Sequence, residues 1–309
     1  MAGGLALLDK PAAASSHGAL YALKRTFRTR RVGHAGTLDP FATGLLCALV
    51  GQATRLAVLL SGLDKTYTAT FRFGQATDTL DTEGDVVATG PVPDEQHLID
   101  VLPRFVGPQA QRPPDYSAVQ VGGKRAYRVA RSGGDVELPE RQVDVLSLQA
   151  VGYDSPDLQL EMRCSAGTYV RALARDIGAA LGTVAHVVAL RRTAVGPFSV
   201  TEAAPPDDLG ESQLIAPGRF VARLDAVDSC VVTPKHLGDV RQGKPPRPGY
   251  FQSLVGSGAY VAALDEGGEL VALLMRGAGQ KGRAQQGQAS HLRYAAVFAA
   301  PTAEGARRG

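Results

Sequence analysis

A chain of 309 residues with 44% hydrophobic content can bury a sizeable core and is too long for one minimal domain, so one large domain and one small one are expected. The net charge of +3 is too small to establish a nucleic-acid partner by itself. Cys47, Cys164 and Cys230 stand far apart with no C-x-x-C spacing, which argues against a zinc site and a disulfide framework and for a cytoplasmic protein.

In chain order, "MAGGLALLDKP" has no basic segment ahead of its short apolar run and does not read as a secretion signal. "KRTFRTRR" then concentrates Lys24, Arg25, Arg28, Arg30 and Arg31, and "GGKRAYRVAR" later adds Lys124, Arg125, Arg128 and Arg131. Each cluster is either a solvated face or a phosphate grip. Between them, in "RVGHAGTLDPFATGLL", Gly33 and Gly36 permit close backbone approach and Pro40 biases Asp39 toward an extended conformation. That turn either presents one carboxylate or lets Asp39 cap a helix beginning at Pro40. The apolar-leaning stretch 44–63 carries Gln52 and Arg55 and does not read as a membrane span.

"YTATFRFG" alternates Tyr67, Ala69, Phe71 and Phe73 against Thr68, Thr70 and Arg72, which predicts a half-buried strand. "LQLEMRCS" alternates in the same way, and after Gly167 the period changes. Val170, Leu173, Ala174, Ile177 and Leu181 recur at helical spacing up to Gly182. Thr168, Tyr169 and Arg171 therefore sit where a strand hands over to a helix. Loop formers dominate from Ala203 to Gly218, and a second, β-rich unit is expected from about residue 229. Its signals are a hairpin around Asp265-Glu266-Gly267-Gly268 and the strand "LRYAAVF", with a mobile loop over 276–290 and a frayed tail over 303–309.

Phosphate-loop, dinucleotide and zinc-protease motifs are missing, so no cofactor is implied. A glycosidase would need a second carboxylate facing Asp39. Asp78, Asp81 and Glu83 in "TDTLDTEGD" qualify by type alone, and acids beside a turn are more often solvated.

"RVGHAGTLDPFATGLL" resembles the aspartate motif of the TruB-type tRNA pseudouridine synthases, and the likeness continues in order. "LLDKPAAASS", "DKTYTATFRFGQATDT", "RPPDYSAVQVGGKRAYRVAR", "CSAGTYVRALARDIG" and "AHVVALRRTAVGPF" resemble the other motifs, over about residues 5–200. Ala13, Gln120 and Ala166 depart from the usual Gly, Lys and Lys of the family.

The resemblance implies an α+β pseudouridine-synthase fold with a mixed sheet and a central cleft over residues 1–228. It also implies an RNA-binding insertion at about 108–140 and a small PUA-like β domain over 229–309. It implies isomerisation of uridine 55 in the T-loop of tRNA without a cofactor. Asp39 would be the catalytic aspartate, Arg171 its partner, and Tyr67 the ring on the target base or a proton-transfer group. Tyr169 and Leu190 would line the same pocket, with His34 entering the RNA loop near the flipped nucleotide and Gly36 in the same turn. Lys65 would meet a phosphate, and Lys124 and Arg125 would hold RNA. The implied partner is the tRNA T-arm, with neither membrane nor protein partner required. A guide-RNA-dependent synthase, which shares these motifs, and a binding-only RNA chaperone with the same T-arm grip, in which Asp39 would be dispensable, are the alternatives.

Overall fold

The computed structural model describes residues 3–116, 120–121, 124–125, 138–247, 249–254, 256–277 and 292–299. The alternating segments fold as the sequence predicts. β1 (Gly4–Lys10), β2 (Val32–Ala35), β3 (Thr43–Val50) and β4 (Lys65–Phe73) form the first part of the main sheet. β5 (Gln75–Thr77) and β6 (Val86–Thr89) make a separate small hairpin. β7 (Gly107–Gln111), β10 (Arg141–Asp154), β11 (Asp157–Cys164), β12 (Ala185–Val195) and β13 (Phe198–Ser199) complete the main sheet. Between β7 and β10 the two-residue strands β8 (Gln120–Val121) and β9 (Lys124–Arg125) pair with each other.

The main sheet runs β1-β3-β12-β4-β11-β10-β7, with β2 on β3 and β13 on β12. All its pairings are antiparallel except β12 with β3, where Arg191 faces Thr43 and Arg192 faces Gly44. Gly44 is required there: its φ is +97°, and a Cβ would lie 2.3 Å from the Arg192 carbonyl oxygen. On β4 every odd-numbered residue from Lys65 to Phe73 is buried. β11 buries Leu158, Leu160, Met162 and Cys164 beside it, and the two strands share one core.

Helix α1 (Ser16–Thr26) follows β1, with Ser15 accepting from the Gly18 N–H as its N-cap. Two short helices, α2 (Ala57–Ser61) and α3 (Glu95–Val101), precede α4 (Val170–Ala180). On α4, Val170, Leu173, Ala174 and Ile177 are buried, as their spacing predicts, and Gly182 beyond its end takes a φ of +69°.

A second sheet has the order β15-β14-β16-β17-β18, built from β14 (Val227–Val232), β15 (Phe251–Gln252), β16 (Tyr260–Leu264), β17 (Leu270–Arg276) and β18 (Leu292–Val297). β16 and β17 are the expected hairpin. Ala262, Leu270, Leu273, Ala296 and Phe298 pack with Leu5, Leu7, Leu49 and Phe198 of the main body in one apolar cluster. The expected loop over 276–290 and the tail over 303–309 lie outside the described residues except for Arg276 and Gly277. Among the described residues no helix is long and apolar enough to cross a membrane.

Candidate active site

The Asp39 turn does not lead into a helix. Pro40 and Phe41 form a bend and β3 begins at Thr43, which removes the capping alternative for Asp39. Side chains from neighbouring segments hold the turn instead. Buried Ser16, at the start of α1, donates through its hydroxyl to the Leu38 carbonyl and accepts from the Leu38 N–H, both at 2.8 Å. Lys10, fully buried at the end of β1, donates to the carbonyls of Pro11, Ala14 and Pro40 at 2.9, 2.6 and 3.1 Å. Both neighbouring backbone segments are thus pinned, and the Asp39 side chain, 35% exposed, faces an open cavity.

That cavity, about 310 Å3, collects most of the residues predicted from sequence: Gly36, Asp39, Lys65, Tyr67, Tyr169, Arg171 and Leu190 all line it. Arg171 sits on the first turn of α4 yet is 5% exposed, so it is not a solvated surface arginine. Its Nε lies 2.9 Å from Asp39 Oδ2 as an ion pair without hydrogen-bond alignment, while Nη1 lies 3.1 Å from Asp81 Oδ2. Nη1 also donates to the Thr79 carbonyl at 2.8 Å and Nη2 to the Tyr116 carbonyl at 3.0 Å. One guanidinium therefore bridges two carboxylates and two carbonyls, a task suited to a planar fork of donors.

Asp81 corrects the reading of its acidic run as solvated. It is 2% exposed, and its Oδ1 accepts from the Thr79 hydroxyl at 2.6 Å and the Glu83 N–H at 2.9 Å. Burial pushes the Asp39 carboxyl above the ordinary aspartate value; Arg171 pulls it back and Asp81 pushes it up again. Arg171 is thus the main group that opposes neutralisation of Asp39, with Lys10 adding to it.

Tyr67 is 8% exposed and projects from β4 into the same cavity. Burial raises its phenol above the usual value, and Arg192 beside it acts in the opposite direction. Tyr169 caps the start of α4 and exchanges hydrogen bonds with buried Gln111 of β7: Tyr169 N–H to Oε1 at 2.8 Å, and Nε2 to the Tyr169 carbonyl at 3.2 Å. The Arg141 guanidinium lies 5.4 Å from the centre of the Tyr169 ring. Leu190 of β12, 8% exposed, adds an apolar wall.

Lys65 is 7% exposed, and its ammonium donates to the carbonyls of Ser61 at 2.9 Å and Leu63 at 2.6 Å. Burial brings it down to about 8. Two of its three protons are committed to backbone. His34 stands on β2 and does not line the cavity; its Nδ1 is buried without a partner, and burial, Arg192 and His17 lower its pKa. Lys124 and Arg125 form β9, and the rest of that basic cluster lies outside the described residues. Lys10, Gln111 and Arg192 were not picked out individually from sequence, and Asp81 was a candidate by type alone. Among the described residues no cluster of His, Cys, Asp and Glu could hold a metal ion.

Residues 24–170 match the model of the TruB family pseudouridylate synthase N-terminal domain, and residues 171–229 match that of the tRNA pseudouridylate synthase B C-terminal domain. The chain belongs to the TruB family. A protein named tRNA pseudouridine synthase B from Mycobacterium sp. (strain KMS) is 41% identical over 280 residues, covering 86% of this chain and 93% of its own length. One of the same name from Bordetella pertussis is 48% identical over 204 residues, covering 65% and 84%. Among solved structures, a chain of a Cbf5–Nop10–Gar1 complex superposes with a TM-score of 0.67 at 27% identity, covering 88% of this chain and 78% of its own. The TruB-family fold is the one expected from the ordered motifs, with Asp39 in the turn that carries the first quoted of them.

Proposed function

We propose that this TruB-family pseudouridine synthase isomerises uridine 55 in the T-loop of tRNA, with Asp39, Arg171 and Tyr67 as its catalytic residues. The observation that carries this reading is a cavity-facing carboxylate paired to an enclosed guanidinium and flanked by a buried tyrosine. The bond between ribose C1′ and N1 breaks, the uracil turns, and a bond forms between C1′ and C5; the C5 proton leaves and N1 gains one. Nothing is oxidised or consumed.

Asp39 serves either as nucleophile toward the sugar or as base toward a ribose proton. Both roles need the ionised form that Arg171 favours. Tyr67, Tyr169 and Leu190 offer ring and methyl surface to a flipped base. Extruding the base costs a few kcal/mol of stacking, and His34, held neutral by its surroundings, fills the vacated place in the RNA loop.

The second unit, over 229–309, contributes affinity for the tRNA backbone through exposed cations such as Lys235, Arg247 and Arg293. Arg276, a further basic residue there, donates to Asp228 at 2.7 Å and to the Gly258 carbonyl at 2.9 Å and is committed to the fold. The chain alone, incubated with a T-arm hairpin carrying C5-tritiated uridine at position 55, is expected to release tritium. A guide-RNA-dependent enzyme would stay silent without added RNA and protein, and a pure chaperone would bind without release; either result overturns the proposal.

A further inference from the structure

Arg192 has no role in the reaction as proposed, yet its setting is unusual. It is 1% exposed and lines the cavity. The preceding residue, Arg191, makes a two-pronged ion pair with Asp9, whereas among the described residues Arg192 has no carboxylate partner. A buried cation without a counterion is costly, and a well-packed apolar side chain would serve stability as well.

Its contacts show what it joins. Nε donates to the Leu45 carbonyl on β3 at 2.7 Å and Nη2 to the Gly36 carbonyl, three residues before Asp39, at 2.9 Å. In the sheet, Arg192 lies directly opposite Tyr67 on one side and Gly44 on the other, which puts the guanidinium and the phenol on one face. Gly36, with φ +77°, leaves room for it: a Cβ there would lie 3.4 Å from Arg192 Nη1.

We propose that Arg192 is the positioning residue for Tyr67, locking the phenol oxygen toward the cavity and tying it to the Asp39 turn through the Gly36 carbonyl. The inference rests on the proposed role of Tyr67. The guanidinium opposes the effect of burial on the phenol, while the Cys164 thiol of β11 and the Asp39 carboxylate add to it. Lys65, two residues earlier on β4, has its ammonium turned onto the Ser61 and Leu63 carbonyls.

The test is a double-mutant cycle read by single-turnover tritium release. Arg192→Lys is expected to slow the wild-type chain by roughly thirtyfold or more, within the range of proton-transfer contributions, with hairpin affinity held within about threefold. In a Tyr67→Phe background the same substitution should change the rate by less than about threefold, because the group it acts through is gone. Equal losses in both backgrounds would mean that Arg192 merely braces the backbone, which overturns the inference. A Tyr67→Phe chain as fast as wild type would instead remove the role of Tyr67 itself. Should Arg192→Lys not fold, arginine-labelled NMR of the wild type and Tyr67→Phe decides. The protected Arg192 guanidinium signal is expected to move, and an unmoved signal overturns the proposal.

Discussion

The two sheets treat charge in opposite ways. Around the cavity the main body buries Lys10, Lys65, Asp81, Arg171 and Arg192, each 7% exposed or less. In the second sheet no charged side chain among the described residues is buried, and its interior is Cys230, Val232, Val261, Val271, Leu274 and similar groups. Burying a charge is costly unless it is paired and hydrogen-bonded, so the main body gives up stability at one place while the second sheet gives up none. The candidate site thus lies in the region that is expensive to fold, and the second sheet is the region that is cheap.

The sharpest way to break this contrast is Asp39→Asn. Turnover should fall at least about a thousandfold, ~4 kcal/mol in the barrier, with tRNA affinity nearly unchanged. Stability should move the other way. The folded-state carboxyl is raised, so ionising it weakens the fold above that value and costs nothing below the unfolded value near 3.8. The amide mimics the protonated form. Thermal unfolding at pH 7 should therefore show a melting temperature no lower than wild type, with any gain fading toward pH 4.

Arg171→Lys should cost about a hundredfold in single-turnover rate, ~2.7 kcal/mol, because a point charge cannot bridge Asp39, Asp81 and two carbonyls together. Arg171→Met should move the acidic limb of the pH–rate profile upward, since the main group that lowers Asp39 is removed. Asp81→Asn should move the same limb downward and slow the reaction by about tenfold, as Arg171 loses an anchor. A limb that stays fixed in both variants would show that Asp39 ionisation does not control the rate.

The smallest effect on chemistry belongs to the second sheet. Leu273→Ala, in the cluster between the sheets, should lower unfolding free energy by about 2–5 kcal/mol by denaturant titration. The saturating single-turnover rate of the folded fraction should stay within about twofold, well under the ~1.4 kcal/mol of a tenfold change. A large rate loss there would mean that the two sheets share the catalytic task.

Sequence patterns exposed the parts of this molecule that follow a period. The alternations of β4 and β11, the helical spacing of α4 and the β16–β17 hairpin fold as read, because each has a face that must leave water. Asp39, Tyr67 and Arg171 were legible as members of ordered motifs. Arg192 lies inside the quoted motif AHVVALRRTAVGPF yet carried no assigned role, and Asp81 was weighed by type alone, because a charged letter in a polar run or next to another arginine gives no sign of burial. Their settings arise from partners 90 or more residues away, Arg171 for Asp81 and Gly36 for Arg192. The capping alternative at Asp39 failed for a related reason. Ser16 and Lys10, from other segments, supply the hydrogen bonds that a helix start would have made locally.

The position of β12 in the sheet has a consequence for how the enzyme is made. β12 lies between β3 and β4, although it follows both in the chain, and it carries Leu190 and Arg192. During synthesis the chain supplies Asp39 and Tyr67 first, but the place between β3 and β4 cannot be filled until the segment ending at Val195 has left the ribosome. Insertion of a central strand between two earlier ones depends on contacts far apart in sequence, which are slow to form. A nascent chain shorter than this therefore has its aspartate but lacks the part of the cavity wall that Leu190 and Arg192 supply.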